Sequence, residues 1–140
     1  MNESAFREIV EKAWAQVPEK FRQRVDNVAL LVEDEPDAGV RKEEQLGEGD
    51  TLLGLYRGIP ASERGELYGV GMTLPDTITL YRLPLLEEAE RLMEARNISY
   101  EDAVAEAVRE TVWHEVGHYF GLHEHEVQDR EDEGSNHFSI

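Results

Sequence analysis

Apolar residues recur along this chain with two different periods. Phe6, Ile9, Val10, Ala13, Trp14 and Val17 fall three and four apart, so residues 3–17 read as an amphipathic helix. Pro18 suits the first turn of a short second helix that runs to about Val25. Val28 to Val32 (VALLV) is an unbroken apolar run of the kind a buried strand shows. Thr51 to Arg57 (TLLGLYR) reads as a second strand, stopped by Gly58 and Pro60. Glu66 to Met72 (ELYGVGM) is a candidate third strand, weakened by two glycines. After the turn signal Leu74-Pro75-Asp76-Thr77, Ile78 to Arg82 is expected as a fourth. The acidic stretch from Glu33 to Asp50 holds Pro36, Gly39, Gly47 and Gly49, which marks an exposed loop.

Two helices follow the strands. Leu86, Ala89, Leu92 and Met93 mark one from Pro84 to Arg96, with Asn97 as its stop. Ser99 opens the longest helix, and Asp102 stands at capping-box spacing from it. Ala103, Val104, Ala107, Val108, Thr111 and Val112 continue one apolar face, and Gly121 ends the helix as a left-handed cap. The final DREDEGSNHFSI has no apolar pattern. With no internal repeat and no linker, residues 1–128 are expected to form one domain and 129–140 a flexible acidic tail.

Composition narrows the options. A chain of 140 residues fits a single domain and can bury about 68–70% of its unfolded surface without staples. Acidic residues outnumber basic ones 31 to 14, a net charge of −17. That disfavours nucleic-acid binding, which relies on Lys and Arg to neutralise phosphate. It equally disfavours attachment to anionic membranes. No run approaches the roughly 20 apolar residues of a membrane span. The N-terminus lacks the basic-then-apolar layout of a secretory signal, so a cytoplasmic location is expected. Arg exceeds Lys 11 to 3 and Asn plus Gln total 8, a bias that leans toward a heat-adapted host. Cysteine is absent, which excludes disulfides, a thiolate nucleophile and Cys-ligated zinc. Any metal must be held by His and carboxylates.

His114-Glu115-Val116-Gly117-His118 supplies such a set near the end of the longest helix. Positions four apart share a helical face, so both imidazoles can reach one zinc ion. Glu115 is rotated about 100° from His114 and stands beside the metal, where it can take a proton from a water the ion has acidified to a pKa of about 7. In this composition a chance HExxH has a probability of about 3%, and Gly121 three residues on lowers it about twelvefold. A catalytic zinc needs a third protein ligand. A chain turning back at Gly121 offers Glu124, three residues beyond the glycine, and His123 and His125 flank it as alternatives.

HEVGHYFGLHE resembles the active-site helix of the zincin metallopeptidases. LLGLYRGIP and LPDTITLYRLPLLEEA, followed by the long helix, are similar to the minimal zincin-like bacterial family of zinc-dependent proteases, over residues 18–125. The resemblance implies a compact α/β (α+β) fold: one small mixed sheet of about four strands packed by helices, with the active-site helix at about 100–121. It implies one zinc ion on His114, His118 and Glu124, with Glu115 as general base. Family members commonly place Asp at the third position, so Glu124 is a departure. Metzincins carry His there and need a later Met-turn, but no Met follows Met93. Other branches take a Glu from a later helix, but the 22 residues after His118 do not read as helical, which makes Glu126, Glu131 and Glu133 poor ligand candidates.

The expected activity is hydrolysis of peptide bonds in a peptide or protein substrate. The alternative is a non-catalytic binding or regulatory protein on a metal-binding zincin scaffold. A third reading, an acidic mimic of nucleic acid, would have no need of an intact HExxH. Glu66–Met72 is the candidate strand for substrate pairing, because Gly69 and Gly71 share a face and would admit a peptide closely. Tyr119, Tyr81 and Tyr56 are available as oxyanion donors, and nothing in the sequence selects among them. The acidic field would favour basic peptides.

Overall fold

The computed structural model describes residues 1–25, 27–59, 64 and 75–121. The element order is α1 (Glu3–Ala15), α2 (Glu19–Arg22), β1 (Val28–Glu33), α3 (Ala38–Glu43), β2 (Gly54–Arg57), β3 (Asp76–Tyr81), α4 (Arg82–Arg96) and α5 (Tyr100–Tyr119). The three strands form one small mixed sheet in the order β1-β3-β2. β1 runs parallel to β3, and β2 runs antiparallel to it. The expected α/β architecture is therefore present, with three strands among the described residues. The candidate strand Glu66–Met72 and the tail 129–140 lie outside them. No helix among the described residues is long and apolar enough to cross a membrane.

Local chemistry explains most of the boundaries. Asn2 caps α1 by accepting the Ala5 N–H, and the helix ends at Ala15, short of the expected 17. Pro18 is the N-cap of α2, not a member of its first turn. β3 begins at Asp76 and runs straight into α4 through Tyr81, so α4 starts two residues before Pro84. Pro84 is tolerated there because first-turn N–H groups have no intrahelical acceptor. Asn97 closes α4 in the left-handed conformation at φ 51°. Ser99 then caps α5, its hydroxyl accepting the Asp102 N–H at 3.1 Å. Gly121 ends α5 at φ +87°, its N–H on the His118 carbonyl, as a left-handed cap does.

The stretch from Glu33 to Asp50 departs from expectation. It contains α3, capped by Asp37, whose side chain accepts the Val40 N–H at 2.8 Å. Val40 is buried, and Glu43 pairs with Arg57 of β2. A six-residue helix with one apolar anchor carries no periodicity, so composition alone reads as loop.

Side chains alternate across the sheet, so Ile78 and Leu80 of β3 point to the same face, where the helical layer covers them. Phe6, Val10 and Ala13 of α1, Leu85 and Ala89 of α4, and Val104, Val108, Val112 and Val116 of α5 complete that core. Each fully buried aliphatic side chain contributes about 1.5–3 kcal/mol of transfer free energy. α5 thus has one face fixed in the core, which makes its remaining face a rigid platform. Leu80→Ala should destabilise the protein by about 2–5 kcal/mol in urea denaturation, the usual range for a buried Leu truncated to Ala.

Candidate active site

Two stripes of α5 lie outside the aliphatic core. Thr111, Glu115 and Tyr119 are four apart and form the stripe against β2. The contact is close because it is made by backbone. A Cβ at Gly54 would lie 2.7 Å from Thr111 Cγ2, 3.1 Å from the Thr79 carbonyl oxygen and 3.4 Å from Glu115 Cγ. Only glycine lets β2 approach the helix this nearly.

That approach brings a main-chain donor to Glu115. The Tyr81 N–H donates to the Leu53 carbonyl, so Leu53, Leu55 and Arg57 occupy the hydrogen-bonded positions of the β2–β3 ladder. Gly54 and Tyr56 therefore turn their N–H and C=O groups away from β3. The Tyr56 N–H donates to Glu115 Oε1 at 2.8 Å. Glu115 is only 6% exposed, and a carboxylate so buried needs donors to offset its lost hydration. A backbone N–H supplies a strong one in a fixed direction.

His114 and His118 form the neighbouring stripe, both half-buried, with ring centroids 5.1 Å apart. That spacing suits zinc. With nitrogens about 2.0–2.1 Å from a shared ion, ring centroids sit about 3.2 Å from it, and a tetrahedral angle puts them about 5.2 Å apart. The donor chemistry, two imidazoles beside a carboxylate, fits as well. Among the described residues no group of three His, Cys, Asp or Glu side chains is placed to hold a metal. Glu124 and its alternatives His123 and His125 lie outside the described residues. The described residues thus place His114 and His118 side by side on one stripe of α5 and Glu115 on the adjoining stripe against β2.

A second carboxylate lies at the far end of β2. Asp76 is 3% exposed and accepts from the Tyr56 hydroxyl, the Ile59 N–H at 3.2 Å and Arg64 Nη2 at 2.8 Å. Burial, then the bond to Asp76, pushes the Tyr56 phenol well above its ordinary pKa. The Arg64 guanidinium also lies 4.9 Å above the Tyr119 ring, which meets Tyr56 edge-on. The Tyr119 hydroxyl donates to the Arg24 carbonyl at 3.3 Å, and Phe120 packs edge-on against Phe21. These contacts pin the C-terminal end of α5 to the α2 segment. The three tyrosines thus have different settings. The Tyr56 and Tyr119 hydroxyls serve Asp76 and Arg24, while the alternation of β3 places Tyr81 on the face away from Ile78 and Leu80.

Gly54, the Tyr56 N–H and Asp76 do not stand out in the sequence as parts of a site. A backbone donor has no side-chain signature. A glycine inside TLLGLYR is nevertheless the usual mark of close backbone approach, and here it marks β2.

Residues 25–134 match the family model described as a zincin-like metallopeptidase. Among solved structures, a conserved hypothetical protein from Thermus thermophilus is similar at 28% identity, with a TM-score of 0.49, over 92% of this chain and 99% of that one. No curated protein matches significantly.

The contact at Gly54 is open to direct test. Gly54→Ala should cost about 1–3 kcal/mol, the range for overpacking a filled site. Thr111→Ser removes the Cγ2 that the new methyl would strike. In a double-mutant cycle by urea denaturation, Thr111→Ser should then recover part of that loss, with a coupling of at least about 0.5 kcal/mol.

Proposed function

Because this chain belongs to the zincin-like metallopeptidase family, we propose that it is a zinc-dependent peptidase. The observation that carries the reading is the buried Glu115 carboxylate, held by a backbone N–H on the same helix as a zinc-spaced histidine pair. His114, His118 and Glu124 would hold the ion. Zinc bound there supplies a Lewis acid and lowers the pKa of water to about 7.

Glu115 takes the proton of the attacking water and delivers it to the leaving amine, while the peptide C–N bond breaks to give a carboxylic acid and an amine. The Tyr56 N–H sets the rotation of the Glu115 carboxylate, so the base need not be ordered when substrate arrives. The net charge of −17 favours Lys- and Arg-rich peptides over acidic ones, an attraction that salt would screen.

Protein purified without metal-affinity columns should contain about one zinc per chain, the stoichiometry of a mononuclear catalytic site. Glu115→Gln should keep the zinc and lose peptide cleavage by about 10²–10⁴-fold, the usual share of a general base. Equal cleavage by the variant would remove Glu115 from that role. Zinc retained with no cleavage of any peptide by the wild type would instead favour a binding or regulatory protein.

Glu124→Ala should weaken zinc binding in a chelator competition. Unchanged affinity there, with loss in His125→Ala, would move the third ligand to His125. Basic peptides should be cut faster than acidic ones at low ionic strength, and the preference should shrink as salt is added.

A further inference from the structure

Asp76 is a buried carboxylate that the proposed reaction does not use. It stands where the β2–β3 ladder ends. The last pair is Arg57 with Thr77, and the same register puts Gly58 across from Asp76. This is a position of the narrow type, where facing backbones approach most closely. The Asp76 side chain folds over Gly58, whose Cβ, if it had one, would lie 2.1 Å from the carboxyl carbon. From there it accepts hydrogen bonds from the Tyr56 hydroxyl of β2 and from the Ile59 N–H just beyond the strand, besides its ion pair with Arg64.

Tyr56 is therefore held twice. Its phenol is bound to Asp76, and its main-chain N–H is bound to Glu115. β2 is only four residues long, and the ladder fixes it along the β3 side alone among the described residues. Ladder bonds leave a short strand free to twist about its own axis near its end. A twist at Tyr56 would swing the N–H away from Glu115 Oε1, and hydrogen bonds weaken steeply as they bend. The bonds to Asp76 lie beyond the ladder and oppose that twist.

We infer that Asp76 is a positioning residue for Glu115, acting through Tyr56 to hold the strand N–H that aims the carboxylate. The inference rests on reading Glu115 as the base. It assigns Asp76 no contact with substrate or metal.

The test compares the full-length wild type with Tyr56→Phe, Asp76→Asn and Glu115→Ala, each zinc-loaded and zinc-free. The readouts are the Tyr56 amide resonance and its hydrogen exchange, zinc affinity, and peptide cleavage. Glu115→Ala should move the Tyr56 amide resonance and speed its exchange. Tyr56→Phe and Asp76→Asn should move that amide in the same direction, with the ladder amides of Leu55 and Thr79 still protected. Zinc affinity should stay within about threefold, and kcat should fall about tenfold or more at unchanged KM, since small misplacements of a catalytic group cost up to about 10²-fold.

Tyr56→Phe keeps the Asp76–Arg64 ion pair, so the comparison survives if Asp76→Asn does not fold. A Tyr56 amide that stays at its wild-type position and exchange rate in Tyr56→Phe, while thermal stability falls, would overturn the inference and leave Asp76 a purely structural group. If the wild type cleaves no peptide, the peptidase reading fails, and the amide comparison still decides whether Asp76 orients the Glu115 carboxylate.

Discussion

The site depends on one close contact, the backbone of β2 lying against α5 at Gly54. With any other residue there, a methyl or more would stand between strand and helix. The Tyr56 N–H would then be carried away from Glu115, whose carboxylate would lose a main-chain donor while still buried. Burial of charge is tolerated only when donors accompany it, so the helix could not present Glu115 in this position without the strand. The absence of a side chain at one residue therefore allows a charge at another, sixty-one positions along the chain.

The contact works because α5 cannot yield. Its opposite face is fixed by Val104, Val108, Val112 and Val116 in the core. Ser99 and Gly121 close its ends, and Tyr119 and Phe120 fasten the last turn to the segment around Phe21 and Arg24. His114, Glu115 and His118, all on one anchored helix, keep their relative positions without help from loops. β2 is the less constrained partner, and its ties to β3 are completed by Asp76.

Much of this is legible in the amino-acid sequence. Helices α1, α4 and α5 announce themselves through long apolar periods, and their ends through Asn97, Ser99 and Gly121, each a residue type with a local reason to be there. The histidine pair and Glu115 follow from spacing alone. What was not legible is contact between distant segments. Nothing local in TLLGLYR says that its glycine meets Thr111 or that the next tyrosine's N–H meets Glu115. Asp76 reads in sequence as part of a turn, because Pro75 precedes it, yet it opens β3 and is buried. α3 was hidden for the opposite reason: its single anchor, Val40, is too little pattern in an acidic stretch.

Asp76 and Glu115 also bear on why so acidic a chain has two buried carboxylates among its described residues. On the surface an acidic residue costs little, because water solvates it and salt screens it. In the interior a carboxylate is expensive, and hydrophobic replacement of buried ion pairs is often neutral or stabilising. Natural sequences tend to break local rules at functional positions and to compensate nearby. Glu115 is compensated by the strand N–H and Asp76 by a phenol, an amide and a guanidinium, and the two compensations meet at Tyr56. Their convergence on one tyrosine is what a single arrangement for holding Glu115 would produce.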